Sequence, residues 1–271
     1  MSKPDLEYLL KLGIIAALDA GAEILDVYGM DDFEVEYKED NSPLTLADKR
    51  ANTAIESVLK QTDIHILSEE GRSVGYEDRK AWGLLWIVDP LDGTKEFVKR
   101  NGEFTVNIAL VENNKPILGV IYVPVKRVLY YAAEGMGSYK IENITKESGN
   151  AMDIEEIMSE SMLLPIPIDK HTYVVVGSRS HMSDATDEYI TALAKEHDTV
   201  EMVSAGSAIK LCLVAEGVAD EYPRFAPTME WDTAAGHAIA HYAGKQVTVF
   251  ETGEELEYNR ADLVNPWFLV K

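Results

Sequence analysis

Trp86-Ile87-Val88-Asp89-Pro90-Leu91-Asp92-Gly93-Thr94 is the stretch on which the reading of this chain turns. A continuous apolar run, Leu84 to Val88, has the pattern of a strand buried on both faces. It ends in a carboxylate, a proline, a second carboxylate and a glycine. Ligands of open α/β sheets lie beyond the carboxyl ends of strands. Pro90 stiffens the turn, and Gly93 lets a ligand approach the backbone. Two carboxylates three residues apart on a rigid turn, with the Leu91 carbonyl between them, offer oxygen donors to a hard cation such as Mg²⁺.

Two other places repeat the theme. Ile64 to Leu67 reads as a short strand and runs into Ser68-Glu69-Glu70. Trp231-Asp232-Thr233-Ala234-Ala235-Gly236 opens a helix, where an aspartate is either an N-terminal cap or a ligand. The surroundings are ordinary. The chain has 271 residues, 46% of them hydrophobic, with 25 basic and 47 acidic side chains and a net charge of −22. That balance excludes the basic stripe a nucleic-acid partner needs and disfavours an anionic membrane surface. The single cysteine, Cys212, excludes an intrachain disulfide and a zinc–thiolate site, and its apolar neighbours mark it as a buried thiol. No signal-peptide pattern and no membrane-length apolar segment is present, so a cytoplasmic protein is expected.

Element patterns extend to both sides. Residues 5–29 have the broad apolar face of a helix. Thr45 caps a second helix to about Lys60, with Leu46, Ala51, Ala54, Ile55 and Val58 as core candidates. Residues 71–81 read as a mobile loop, a candidate lid. Three strands, Phe104–Val111, Pro116–Val123 and Val128–Ala132, follow with short turns, and Gly135–Lys140 adds a fourth. Residues 141–170 read as a polar connection. Beyond it helices and strands alternate: strands 173–176, 200–203, 219–222, 245–250 and 267–270, and helices 183–196, 206–216 and 231–243. The expected fold is an α/β, or α+β layered, sandwich of alternating helices and sheets. Residues 1–145 are expected to form a metal-binding catalytic lobe and residues 146–271 a specificity lobe of one compact unit. His237 and His241, one turn apart, mimic a metal pair but read as packing or surface residues.

These motifs, in this order, resemble the inositol monophosphatase superfamily of Mg²⁺-dependent, Li⁺-sensitive phosphatases. The resemblance runs over essentially the whole chain. It includes Asn41-Ser42-Pro43-Leu44-Thr45 before Ala47-Asp48, Leu67-Ser68-Glu69-Glu70, and Asp89 through Thr94. It continues through Arg100-Asn101-Gly102-Glu103-Phe104-Thr105-Val106-Asn107, Tyr222-Pro223-Arg224-Phe225 and Trp231 to His237. The Lys95-Glu96-Phe97 extension points to the CysQ-type 3′(2′),5′-bisphosphate nucleotidase branch. The resemblance implies that Glu69, Asp89, the Leu91 carbonyl, Asp92 and Asp232 hold two or three Mg²⁺ ions. It also implies that Asp48 and Thr94 orient the attacking water.

An acidic protein needs such metals to accept an acidic substrate. Two unit charges 4 Å apart repel by roughly 4 kcal/mol at an effective dielectric of 20. Two Mg²⁺ ions cancel the four ligand carboxylates, and a third leaves the site positive. The expected partner is a small phosphorylated nucleotide: adenosine 3′,5′-bisphosphate, hydrolysed to AMP and phosphate, with its sulfated relative as a second substrate. Gly93, Thr94, Ser180, His181, Gly206, Lys210 and Arg224 are the candidate substrate contacts. Arg224 stands where inositol phosphatases usually carry a carboxylate for sugar hydroxyls, and a cation suits a second phosphate better. An inositol or sugar phosphatase is the alternative. A non-catalytic metal-dependent regulator is the reading from another class.

Overall fold

The structure is a computed structural model that describes residues 5–30, 35–37, 43–169, 172–177 and 183–271. The first half runs α1 (Leu6–Tyr28), β1 (Val35–Tyr37), β2 (Pro43–Thr45), α2 (Leu46–Leu59), β3 (His65–Ser68), α3 (Tyr76–Arg79), β4 (Leu84–Asp92), α4 (Thr94–Val98), β5 (Thr105–Glu112) and β6 (Lys115–Val123). It continues with β7 (Val128–Ala133), β8 (Gly137–Glu142), α5 (Lys146–Ala151), α6 (Ile154–Ser159) and β9 (Met162–Leu163). The second half is β10 (Tyr173–Gly177), α7 (Asp184–Leu193), β11 (Val200–Ser204), α8 (Ile209–Glu216), β12 (Tyr222–Arg224), α9 (Glu230–Tyr242), β13 (Val247–Val249) and β14 (Phe268–Val270).

A seven-stranded sheet in the order β3-β4-β5-β6-β7-β8-β9 forms the centre. Only β3 and β4 pair in parallel; the remaining neighbours are antiparallel. The apolar run in β4 is continuous because both of its faces are covered. Trp86 and Val88 pack with Ile14, Ala51 and Ile55 of α1 and α2. Leu85 and Ile87, pointing the other way, pack with Leu211 and Cys212 of α8 and Ile239 of α9. On the outer side of α8 and α9 lie the sheet β12-β14-β13 and the parallel pair β10-β11, whose Val174, Tyr222, Val247 and Phe268 join the same core. Helices, sheet, helices and small sheets thus alternate as layers. No described helix is long and apolar enough to cross a membrane.

The contact between α9 and the sheet depends on Gly119 of β6. A Cβ there would lie 2.3 Å from the Ala235 carbonyl oxygen and 2.8 Å from the Ala238 Cβ. Backbone cannot give way as a flexible side chain does, so Gly119→Ala should destabilise the fold by about 3 kcal/mol. Thermal unfolding should record this as a fall of roughly 6–12 °C in Tm. An unchanged Tm would show that α9 floats on the sheet.

Several expectations are corrected. Leu46 is 40% exposed, because the buried stripe of α2 runs through Ala47, Ala51 and Ile55 at helical spacing. The polar segment 141–170 contains α5, α6 and the edge strand β9. The strand expected at 219–222 starts at Tyr222, where pairing with β14 begins. Segment 71–81 is tied down at its far end. Arg79 is buried, and its Nη1 donates to Asn259 Oδ1 at 2.8 Å while Asn259 Nδ2 donates to the Arg79 carbonyl at 3.0 Å.

Candidate active site

Strand direction gathers the first three acids. Because β3 and β4 are parallel, with Ser68 opposite Val88, both end at the same edge of the sheet. The Glu69 N–H donates to the Val88 carbonyl at 3.1 Å, which sets Glu69 beside Asp89. In a regular strand Asp89 and Asp92 would face opposite sides, since side chains alternate. The pairing of β4 with β5 shifts register between them: Asp89 faces Asn107 and Asp92 faces Thr105. That irregularity, occupied by Pro90 and Leu91, returns both carboxylates to one side. Asp232 comes from the first turn of α9, which the sheet carries to the same place. Oxygens of Asp89, Asp92 and Asp232 all lie within 4.8 Å of one another.

Asp232 is both cap and candidate ligand. Its Oδ2 accepts the Met229 N–H at 2.8 Å, which fixes the carboxylate without using all of its lone pairs. Asp89 is held similarly, with Oδ1 accepting the Leu91 N–H at 3.0 Å. Asn107 Nδ2 donates to Asp92 Oδ2 at 3.4 Å, and Thr105 Oγ1 donates to Asn107 Oδ1 at 2.8 Å.

The cluster is electrostatically unsettled by itself. Burial, then the neighbouring Glu69, Asp92 and Asp232, pushes the Asp89 carboxyl well above its ordinary range. Burial, with Asp92 next in weight, pushes Asp232 up to about 8. Asp92 is also raised by burial, and the charges of Lys210 and Arg224 only partly oppose this. Such an all-oxygen set, buried and short of positive charge, fits a hard divalent cation.

Asp48 stands behind this cluster. It is 2% exposed, although a helix-dipole charge in a first turn would usually face solvent. Its Oδ2 accepts the Thr45 N–H at 2.7 Å and the Thr45 hydroxyl at 2.6 Å. Its Oδ1 accepts from Thr94 Oγ1 at 3.2 Å, and the Leu91 carbonyl is an alternative acceptor for that hydroxyl at 3.3 Å. Burial raises the Asp48 carboxyl above its usual value.

A cavity of about 300 Å³ opens on these groups. Glu69, Asp89, Leu91, Asp92 and Asp232 line it, and so do Gly93, Thr94, Gly206, Lys210 and Arg224. Asp48 is not on its wall and reaches it through Thr94. Gly93 has φ +91°, a left-handed conformation that a side chain would strain, and it turns β4 into α4. Lys210 is 6% exposed, with Nζ donating to the Ser207 carbonyl at 2.6 Å, and burial lowers its pKa to about 8. Arg224 Nη2 donates to the Pro227 carbonyl at 3.0 Å, while its Nε is buried without a hydrogen-bond partner. Ser180 and His181 lie outside the described residues.

The sequence model described as the inositol monophosphatase family matches residues 5–267. This chain belongs to that family. The 3′(2′),5′-bisphosphate nucleotidase CysQ of Salmonella typhimurium is 48% identical over 258 residues, covering 94% of this chain and 96% of that protein. A crystal structure of CysQ from Bacteroides thetaiotaomicron superposes with a TM-score of 0.92 at 51% identity, covering 98% of both chains. An IMPase of Thermotoga maritima matches with a TM-score of 0.72 at 25% identity, covering 97% of this chain and 92% of that one.

Within this family member, four contributors are not marked as such by the sequence. Thr45 reads as a cap, yet it also holds Asp48. Asn107 steadies Asp92. Glu103 Oε2 accepts the Gly206 N–H at 2.9 Å and so joins the two halves across the cavity. Ser207, at φ 47°, has a buried hydroxyl without a hydrogen-bond partner. Asn107 and Glu103 stand in the motif that carried the resemblance, but only the register of β5 against β4 gives Asn107 its task.

Proposed function

We propose that this chain is a Mg²⁺-dependent phosphatase that hydrolyses the 3′-phosphate of adenosine 3′,5′-bisphosphate to AMP and phosphate, with the sulfated relative as a second substrate. The observation that carries this reading is the pairing, in one cavity, of an all-carboxylate cluster with two cations of which one has an unused donor. The carboxylates suit metal at the scissile phosphate. The Arg224 Nε and the Ser207 hydroxyl, buried and unpartnered, suit a second anionic group. In this reading residues 1–145 supply most of the metal and water-handling groups. Residues 146–271 supply the specificity contacts and also Asp232. A single buried, free Cys212 suits the reducing cytoplasm in which we place the activity.

Glu69, Asp89, the Leu91 carbonyl, Asp92 and Asp232 are the groups that would hold Mg²⁺. When bound, the ion supplies Lewis acidity and lowers the pKa of water. The residues' own work is proton handling and orientation. Thr94 Oγ1 accepts a hydrogen bond from the attacking water while donating its own hydrogen to Asp48 Oδ1. As the water oxygen forms its bond to phosphorus, its proton passes to Thr94 and the Thr94 proton to Asp48. The bond from phosphorus to the ribose oxygen then breaks, that oxygen takes a proton from solvent water as it leaves, and Asp48 gives its proton back to solvent through Thr94 to complete the cycle. Asp48 can act as the acceptor because burial makes it a stronger base than an exposed aspartate. Since Asp48 is off the cavity wall, the relay through Thr94 is favoured over direct contact with water.

The test is phosphate release from adenosine 3′,5′-bisphosphate beside inositol 1-phosphate and fructose 1,6-bisphosphate, with Mg²⁺ and with Li⁺ added. Preferential, Li⁺-sensitive release from the nucleotide is expected. Preference for either sugar phosphate would overturn the substrate assignment. Arg224→Glu should lower kcat/KM for the nucleotide by roughly 10- to 100-fold or more, the loss of a charge-assisted contact, and improve relative turnover of inositol 1-phosphate. Equal effects on both substrates would remove Arg224 from the specificity pocket.

A further inference from the structure

Helix α9 carries a second group of ligand atoms on a face that does not line the catalytic cavity. His237 and His241 are one turn apart, so their imidazoles share that face, with ring centroids 6.3 Å apart. Glu255, beyond β13, joins them. Its backbone is pinned by a bridge to Thr248 and by the Leu256 N–H donating to the Val247 carbonyl at 3.0 Å. One carboxylate oxygen, Oε2, takes Lys115 Nζ at 2.5 Å. The other, Oε1, faces both rings, 3.6 Å from His237 Nε2 and 3.7 Å from His241 Nδ1.

Both separations are too long for good hydrogen bonds. They are close to the edge of a metal tetrahedron, since ligand bonds of about 2.0–2.1 Å put neighbouring donors roughly 3.4 Å apart. A nitrogen from each histidine and a Glu255 oxygen all lie within 4.8 Å of one another.

The buried ring supplies an independent sign. His237 is 0% exposed, and its Nε2 has no hydrogen-bond partner. Its other nitrogen, Nδ1, is 3.1 Å from the Tyr258 hydroxyl, which donates onward to Thr233 Oγ1 at 3.4 Å. With the tyrosine hydrogen on Thr233, Nδ1 carries the ring hydrogen and Nε2 turns a lone pair toward Glu255 Oε1. The lone pair of a buried ring then faces a partly exposed carboxylate oxygen across 3.6 Å, an arrangement that a cation between them resolves. A ligating histidine whose second nitrogen is held by a hydrogen bond is the arrangement by which protein metal sites fix ring orientation.

We propose that His237 Nε2, His241 Nδ1 and Glu255 Oε1 form a binding site for one Zn²⁺ ion, separate from the catalytic carboxylates. Two imidazoles and one carboxylate suit Zn²⁺ and not Mg²⁺, which favours oxygen donors. The half-exposed His241 and Glu255 leave the fourth position open to solvent. Lys115 binds the far carboxylate oxygen as an ammonium, which has no lone pair to offer a metal, so it does not take that position.

The full chain, in millimolar Mg²⁺ and at or slightly above neutral pH, should be titrated with Zn²⁺ against a chromophoric chelator. A parallel titration with Co²⁺ should be read by visible absorption. Wild type should take up one Zn²⁺ that excess Mg²⁺ does not displace, and its Co²⁺ adduct should show the intense bands of four-coordination. His241→Ala and Glu255→Gln, both at the surface, should weaken Zn²⁺ binding at least about tenfold and lose those bands. Both variants should keep Mg²⁺-dependent phosphatase activity, and Asp92→Asn should keep the Zn²⁺. No tight Zn²⁺ in excess Mg²⁺ would overturn the proposal. So would uptake that survives His241→Ala and Glu255→Gln but disappears in Asp92→Asn, since the ion would then sit among the catalytic carboxylates.

Discussion

Asp89→Asn is expected to abolish Mg²⁺-dependent phosphate release and, at the same time, to raise the melting temperature of the metal-free protein. Both effects have one cause. Asp89 is buried against three other acids, which together with burial hold its carboxyl well above the ordinary range. Without metal, ionising this group is unfavourable in the fold and ordinary in the unfolded chain. The folded state therefore binds more protons than the unfolded state over the window from the usual aspartate value of 3.8 up to about 8, the value reached by Asp232. Stability falls with pH wherever the folded state holds the extra protons. Metal-free wild type should thus melt progressively lower as pH climbs through that window, and Mg²⁺ should restore it by replacing the missing positive charge.

Asparagine keeps the shape and can still accept the Leu91 N–H, yet it removes one charge from the repelling set. The pH slope of the metal-free variant should be shallower than that of wild type. Each kcal/mol recovered adds roughly 2–4 °C in a chain of this size. Activity should fall by about three orders of magnitude or more, since in the proposed mechanism Asp89 holds the ion that stabilises charge in the transition state. Thermal melts at pH 5 and pH 8, with chelator and with Mg²⁺, read the stability half. A metal-free variant that melts below wild type at pH 8, together with an undiminished Mg²⁺ response, would remove Asp89 from the ligand set.

What could be read from the sequence follows from how locally each feature is encoded. The β4 run and its Asp-Pro-Leu-Asp-Gly turn signal strand, turn and candidate ligand within ten residues. The cap at Thr45 and the stripe Ala47-Ala51-Ile55 are equally local. The meeting of Asp232 with Asp89 is not local: it needs α9 to lie flat on β6, which depends on a glycine over a hundred residues away. Likewise the anchoring of segment 71–81 is invisible until Arg79 meets Asn259, and the histidine pair of α9 reads as packing until Glu255 is folded beside it. Long separations defeat a sequence reading because periodicity reports which face of an element is buried and not which element covers it. Leu46 illustrates the smaller error: one position off the stripe rotates a residue by about 100° and places it in solvent.

Asp48→Asn and Thr94→Ala should each lower kcat by about 10²- to 10⁴-fold while leaving Mg²⁺ affinity and KM nearly unchanged. Neither group belongs to the proposed ligand set, and Asp48 is screened from the cavity by Thr94. The asparagine of the first variant can still accept the Thr45 N–H through its amide oxygen, so the cap of α2 survives and the loss would not reflect unfolding. Thr94→Ser should retain most of the activity because it keeps the hydroxyl at the relay position. The two positions should act as one unit: if the proton passes from water to Thr94 and from Thr94 to Asp48, breaking either step removes the whole path. The double variant should then be little worse than either single variant. Effects that multiply in the double variant would mean that Asp48 and Thr94 serve separate purposes. A kcat for Asp48→Asn within tenfold of wild type would reduce the buried aspartate to a helix cap, leaving the water to lose its proton elsewhere.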